Sequence, residues 1–270
     1  MIVRNNIKTT GYTVITEEDG VHSSMLLDFG ILKLKKGDTW KSNENKERAW
    51  LLIKGNVRFD WKGESVSALR NSCFEENPSV LHVPRNVDVT ITALADAELA
   101  LEMKNNPVDF TPRYYAPEDI RCDIFGGGTL NETSIRTVRT VFDGVIAPES
   151  NMVLGEVINH PGKWSSYPPH HHPQPEIYHY RHFPEQGFGV SLLNEDAHVV
   201  KNGETCLIEG GKTHSQVAGA GYAMYYIWMI PHLPGDRWLP TTRYYKEDHQ
   251  WLLEKDVKIW PELKHGESKA

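Results

Sequence analysis

The segment Tyr167-Pro168-Pro169-His170-His171-His172-Pro173-Gln174-Pro175-Glu176 gathers ligand-forming side chains into ten residues. On an extended chain alternate residues share a face, so His170 and His172 form a pincer while His171 points the other way. The same parity reaches Glu176, and a bulge at Pro173 or Pro175 still lets its carboxylate close a third corner. Pro168 and Pro169 keep the approach extended and stiff, which limits the entropy lost when a cation organises the side chains. A fourth donor has to come from another stretch. His214, in Thr213-His214-Ser215 just after the Gly210-Gly211 turn, is placed to supply it. Three neutral imidazoles and a carboxylate suit one divalent metal ion, Zn²⁺ or Mn²⁺ ahead of Fe²⁺, Co²⁺ and Ni²⁺. Such ions accept five or six ligands, so one or two positions stay open to water or substrate oxygens.

The chain has thirteen histidines. His22, His82, His160, His198, His232, His249 and His265 read as ordinary solvated or packed side chains, and His179 and His182 as either supporting groups or exposed ones.

Strands must hold these ligands. Short apolar or alternating runs recur at Ala49–Ile53, Val57–Trp61, Val80–Val83, Val87–Ile91, Leu99–Met103, Met152–Ile158, Gly189–Leu193, Cys206–Ile208 and Ala223–Ile230. Turn signals such as Lys54-Gly55-Asn56 and Lys201-Asn202-Gly203-Glu204 separate them, the punctuation of an all-β sandwich or barrel. Helical signal is confined to Lys246–Lys255, with a turn at Pro117–Arg121. Laying Gly37-Asp38-Thr39-Trp40 on Gly162-Lys163-Trp164 reveals a faint repeat, which predicts two β-barrel lobes over roughly 20–105 and 150–235. The division expected is residues 1–120 for the first lobe and 121–270 for the second, the latter carrying the metal site and a C-terminal extension.

At 270 residues and 39% hydrophobic content the chain has ample material for two packed cores. A net charge of −7 without any Lys/Arg run argues against nucleic acid or an anionic membrane as partner. No signal-peptide core or membrane-length apolar run is seen, and the three cysteines, Cys73, Cys122 and Cys206, form no CxxC pair, so a reducing cytoplasmic setting is expected.

The motifs Gly162…His170-His171-His172…Glu176 and Gly203…Gly211-Lys212-Thr213-His214 resemble those of the cupin superfamily, with Glu209 and Ala218 departing from the usual second motif. Gly162–His170, Glu176-Ile177-Tyr178, Pro184-Glu185-Gln186-Gly187-Phe188, Gly221–Tyr226, Arg237-Trp238 and Asp248–Leu252 are similar to the 5-deoxy-glucuronate isomerases of bacterial myo-inositol catabolism. That resemblance implies an all-β chain of two cupin (double-stranded β-helix, jelly-roll type) barrels, a homo-oligomer, and a uronate as small-molecule substrate. The implied reaction converts 5-deoxy-D-glucuronate to 2-deoxy-5-keto-D-gluconate, an aldose-ketose isomerisation. The sister isomerase of 4-deoxy-5-ketouronates from pectin shares the architecture. An iron-dependent dioxygenase and a non-enzymatic sugar-acid-binding cupin are the readings from other classes. In the first lobe Lys41–Glu47 stands where the ligand segment would be and has no histidine, so that lobe is expected to be metal-free.

On this reading Glu176, Tyr178, Tyr180 and His182 are the candidates for moving a proton between C1 and C2, and a direct hydride shift needs no such base. The distal carboxylate of the substrate calls for an arginine fork, Arg136 first, then Arg181 and Arg139. Tyr222 and Tyr226 complete the set as hydroxyl donors to a polar substrate.

Overall fold

The computed structural model describes residues 1–4 and 7–262; His265 lies outside them. Almost every element is a strand, and two strand-built lobes stand side by side. In the first, Gly11–Thr16, Asp28–Leu34, Ala97–Lys104, Glu47–Trp61, Val80–Val83 and Arg113–Tyr115 form one antiparallel sheet. The long strand Glu47–Trp61 then passes into a second sheet with Glu64–Arg70 and Val89–Ala93, and Thr39–Ser42 lies at its edge. Sequence reading split this strand at Lys54-Gly55. The chain instead continues through an irregularity between Leu52 and Lys54, and Gly55, at φ +114°, turns the corner. A Cβ there would lie 2.3 Å from the carbonyl oxygen of Asp96, so only glycine fits.

The second lobe repeats the plan. Thr205–Ile208, Glu176–Phe183, Ala223–Pro231, Met152–Asn159, Arg136–Phe142 and Arg121–Phe125 form the broad sheet, and Trp164–Ser165, His214–Ala218, Phe188–Leu193 and Asp196–Lys201 the smaller one facing it. Thr39–Ser42 and Trp164–Ser165, the two ends of the faint repeat, hold equivalent edge positions. Arg113–Tyr115 pairs within the first lobe and Arg121–Phe125 within the second. Ile2–Val3 crosses over to pair with Thr205 and Cys206 of the second lobe, so the first residues of the chain belong to the other lobe's sheet. The Lys246–Lys255 helix is a 3-10 segment over Glu247–Leu253, and Pro117–Asp119 a single 3-10 turn.

Strand parity sorts the side chains into three apolar clusters. Leu32, Trp50, Leu52, Phe59, Leu81 and Ile91 fill the first barrel, and Val153, Tyr180, Val200, Tyr226 and Ile230 pack in the second. Between the lobes lies the third, in which Phe29, Leu51 and Ile53 from the first lobe meet Phe142, Leu154, Ile177, Tyr225 and Met229 from the second. Each fully buried Leu, Ile or Phe contributes about 1.5–3 kcal/mol. Two polar knots are embedded in the interlobe layer. Arg70 bonds both carboxylate oxygens of Glu156 at 2.7 and 2.9 Å, and Arg139 and the hydroxyl of Tyr225 complete that carboxylate's shell. Glu47 accepts bonds from Ser150, Asn106 and the Asn151 amide.

At the mouth of the first barrel Arg48 is fully buried, its guanidinium bonded to Ser42 Oγ (2.7 Å), Glu44 (3.0 Å) and the carbonyl of Val87 (2.7 Å). Arg48 pairs across the sheet with Val83, the last residue of its strand, just as Glu176 pairs with Ile208, the last of its own.

Candidate metal centre

The strand His170–His171 and the strand Glu176–Phe183 enter the second barrel's mouth from one side, and His214–Ala218 enters from the facing sheet. His170, His172, Glu176 and His214 are all buried. Their turns are tied together: the amide of Gly211 donates to the carbonyl of His172 at 2.8 Å. A Cβ on Gly210 would stand 2.0 Å from the carbonyl oxygen of Pro173, so the glycine pair lets the two ligand-bearing turns touch.

The ligand atoms of His172, Glu176 and His214 all lie within 4.8 Å of one another. His170 stands beside them, its ring centroid 5.2 Å from that of His214. In each imidazole Nδ1 faces a backbone carbonyl: His170 to Pro168 at 2.9 Å, His172 to Gln174 at 2.9 Å, His214 to Lys212 at 3.0 Å. A carbonyl only accepts, so Nδ1 carries the hydrogen and Nε2 presents a bare lone pair. Burial, then the neighbouring His214, lowers the His170 pKa to about 3, which keeps that ring neutral. The Nε2 atoms of His214 and His172 sit 3.0 and 3.3 Å from one carboxylate oxygen of Glu176. That oxygen is buried and lacks a hydrogen-bond partner among the described residues. Burial works to raise the Glu176 pKa, and positive charge shared with His172 and His214, whether a proton or a cation, outweighs it and holds the group ionised. Lone pairs thus converge on one point with an anionic oxygen among them, an arrangement a cation resolves, and the donor set fits a divalent transition metal.

The centre opens into a cavity of about 1030 Å³. Tyr178, Tyr226, Ser165, Ser166, Arg136 and Trp238 line it, as do the Phe125–Asn131 loop and residues 252–259 from the C-terminal segment. The hydroxyls of Tyr226 and Ser165 are 2.8 Å apart, those of Tyr178 and Ser166 3.1 Å. Burial pushes the Tyr226 pKa up to about 12, and burial with the nearby Glu176 charge raises that of Tyr178 as well, so both are neutral donors at neutral pH.

Other sequence candidates lie elsewhere. Tyr180 shares the parity of Tyr178 but is buried deeper, donating to Gln216 at 2.8 Å, and His182 beyond it is also buried with neither ring nitrogen partnered among the described residues. Arg181 points out of the barrel to Glu98 of the first lobe at 2.6 Å, and Arg139 is bound to Glu156. Tyr222 packs on Phe188, away from the cavity. Their positions follow from depth and side, which alternation alone does not encode.

Sequence reading missed Arg243 and Tyr245, which line the cavity from the C-terminal extension. Strand Tyr244–Tyr245 pairs with His170–His171, and the amide of Lys246 donates to the carbonyl of Pro169 at 2.9 Å. The only signal was the run Arg243-Tyr244-Tyr245, an aromatic pair beside a cation with strand-like alternation.

The model of the KduI/IolB family matches residues 1–252. The 5-deoxy-glucuronate isomerase of Geobacillus kaustophilus is 28% identical over 249 residues, 85% of this chain and 86% of that one. That of Bacillus subtilis is 22% identical over 272 residues, covering 94% and 96%. Among solved structures, an IolB-like protein from Salmonella typhimurium superposes with a TM-score of 0.83 at 20% identity over 94% of this chain and 99% of its own. The oxalate decarboxylase of Lactobacillus farciminis gives 0.65 at 14% identity, over 93% and 88%. These likenesses show the fold, that of a double cupin. Among the described residues no helix is long and apolar enough to cross a membrane.

Proposed function

Because this chain belongs to the KduI/IolB family, we propose that it is a sugar-acid isomerase that converts 5-deoxy-D-glucuronate to 2-deoxy-5-keto-D-gluconate. The observation that carries the reading is the convergence of imidazole Nε2 lone pairs and the Glu176 carboxylate at the floor of a cavity large enough for a six-carbon acid. His170, His172, Glu176 and His214 would hold one divalent ion, with Zn²⁺ or Mn²⁺ preferred. When bound, such an ion supplies Lewis-acid polarisation of the substrate's carbonyl and hydroxyl oxygens.

The chain's own residues do the rest. Arg136 forms no ion pair among the described residues; one nitrogen donates to the Ser134 carbonyl at 2.8 Å, which leaves the rest of the fork for a carboxylate. Tyr178 and Tyr226, aimed by Ser166 and Ser165, donate hydrogen bonds to substrate oxygens. Tyr178 would carry the proton from the C2 oxygen to the C1 oxygen, which balances passage of the C2 hydrogen to C1 as a hydride, whereas an enediol route would need a separate base for that hydrogen. Of the four residues considered for proton transfer, Glu176 is engaged with two imidazoles and Tyr180 and His182 lie behind the cavity wall, which favours Tyr178. The C-terminal segment over the mouth limits water entry.

The test is turnover of 5-deoxy-D-glucuronate followed by proton NMR in D₂O, wild type against His172→Ala, with the metal content of each measured. Turnover that tracks bound metal is expected. Unimpaired turnover by metal-stripped protein would sink the proposal. Deuterium at C1 of the product reports proton exchange with solvent, and its absence a direct hydride shift.

A further inference from the structure

Eight of the twelve arginines pair with carboxylates, Arg121 at the cavity among them, and Arg113, Arg136, Arg237 and Arg243 form no ion pair among the described residues. Of the four without an ion pair, Arg136 and Arg243 line the cavity, while Arg113 and Arg237 lie outside it. Arg136 is half-buried against the ring of Phe125, and Arg243 stands exposed at the rim. The charge of Arg243 reaches Arg136 and, together with burial, lowers its pKa. Asp143, Glu176, Glu254, Asp256 and Glu262 also line the cavity, but none of them forms an ion pair with Arg136 or Arg243 among the described residues, so both guanidiniums remain available to a negative group that enters.

Arg243 is also positioned. It precedes the short strand Tyr244–Tyr245 that pairs with His170–His171, so its backbone is registered against the ligand-bearing strand itself. An anion between Arg243 and Arg136 is therefore held at a set distance from the imidazoles.

We infer that Arg243 is a specificity-determining residue, the second arm of a clamp that closes with Arg136 on the carboxylate of the sugar acid. This rests on the sugar-acid reading above and adds the group that separates acids from neutral sugars. Two forks on one carboxylate give charge-assisted bonds from both sides, and the rim position of Arg243 lets it swing onto a ligand after entry.

The experiment is calorimetric binding to the metal-loaded protein with three probes: D-glucuronate, D-glucuronamide and D-glucose. Wild type should prefer glucuronate to the two uncharged probes. Arg243→Ala should lose roughly tenfold or more in glucuronate affinity, the value of a charge-assisted bond, while binding the uncharged probes as before. Arg243→Lys should recover part of the loss. Lys201→Ala removes the same unit of charge from an exposed strand of the second lobe outside the cavity, and its glucuronate affinity should change little. Equal losses in Arg243→Ala and Lys201→Ala, or an unchanged preference in Arg243→Ala, would overturn the inference. Thermal melting checks that each variant is folded. These readouts need no turnover, so absence of isomerisation in wild type would strike the proposed reaction and leave the clamp to be judged on binding.

Discussion

The mouths of the two barrels solve one problem in two ways. At equivalent places on the leading strand, the first lobe has Arg48 and the second has Glu176. In the first lobe the cation is covalent: the guanidinium binds Ser42, Glu44 and backbone carbonyls and closes the mouth permanently. The second lobe offers a ring of acceptors with no side-chain cation at its centre among the described residues, a place that on the proposed function an ion from solution would fill. The first arrangement contributes stability alone. On the proposed function, an exchangeable cation with open coordination positions would make the second one chemically useful.

This contrast is sharpest where the second lobe's acceptors are removed. Glu176→Gln should abolish stoichiometric metal binding and lower turnover by at least about a thousandfold, the upper range for losing one strong electrostatic contact. Metal analysis and the NMR assay read it. If Glu176→Gln retains metal and activity, the contrast collapses.

Next in size is the first lobe. Arg48→Ala leaves the buried Ser42 hydroxyl and the carbonyls of Pro84 and Val87 without their donor and should cost about 3–5 kcal/mol in urea unfolding, at about 1–3 kcal/mol for each acceptor left unsatisfied. Metal content of the folded fraction should stay at wild-type level. Loss of metal there would mean that the two mouths are coupled.

A pH effect comes from the interior of the second barrel. Burial first, then the charge of Arg181, lowers the His182 pKa from 6.5 to about 4. The unfolded chain binds a proton near pH 6.5 that the folded chain refuses until about 4. Stability from this group is complete above pH 6.5 and drains away as the pH falls through that window, by up to about 3 kcal/mol for a shift of this size. Unfolding free energies at pH 7, 5.5 and 4.5 should show a shallower acid slope in His182→Phe. An unchanged slope would assign the acid sensitivity elsewhere.

The smallest effect is expected at Tyr226→Phe, which removes the hydroxyl bonded to Ser165 and should lower kcat about tenfold, one hydrogen bond's share, with metal content unchanged. A wild-type kcat would remove Tyr226 from the site.

The grouping of His172, Glu176 and His214, with His170 beside them, was legible in the chain because its signals are local: alternation puts His170 and His172 on one face, and the Gly210-Gly211 turn announces His214. The two-barrel architecture could be read too, since its strands and turns have period and punctuation. What escaped depends on pairing between distant segments. Ile2–Val3 joins the second lobe's sheet, and Tyr244–Tyr245 joins His170–His171, only because the fold brings those edges close, so Arg243 went unnoticed. Parity put Tyr178, Tyr180 and His182 together, but depth along the barrel separates the first from the others. Arg181 and Arg139 looked as available as Arg136 until their carboxylates, Glu98 and Glu156, appeared from remote strands.

The apolar layer that joins Phe29, Leu51 and Ile53 to Phe142, Leu154 and Met229 has a thermodynamic corollary. Each half of the chain, produced alone, would present that sheet face to water along with the severed Arg70–Glu156 contact, and would be aggregation-prone instead of independently stable. Heating the intact chain should therefore give one calorimetric peak whose van't Hoff and calorimetric enthalpies agree, the behaviour of a single cooperative unit, despite the duplicated plan.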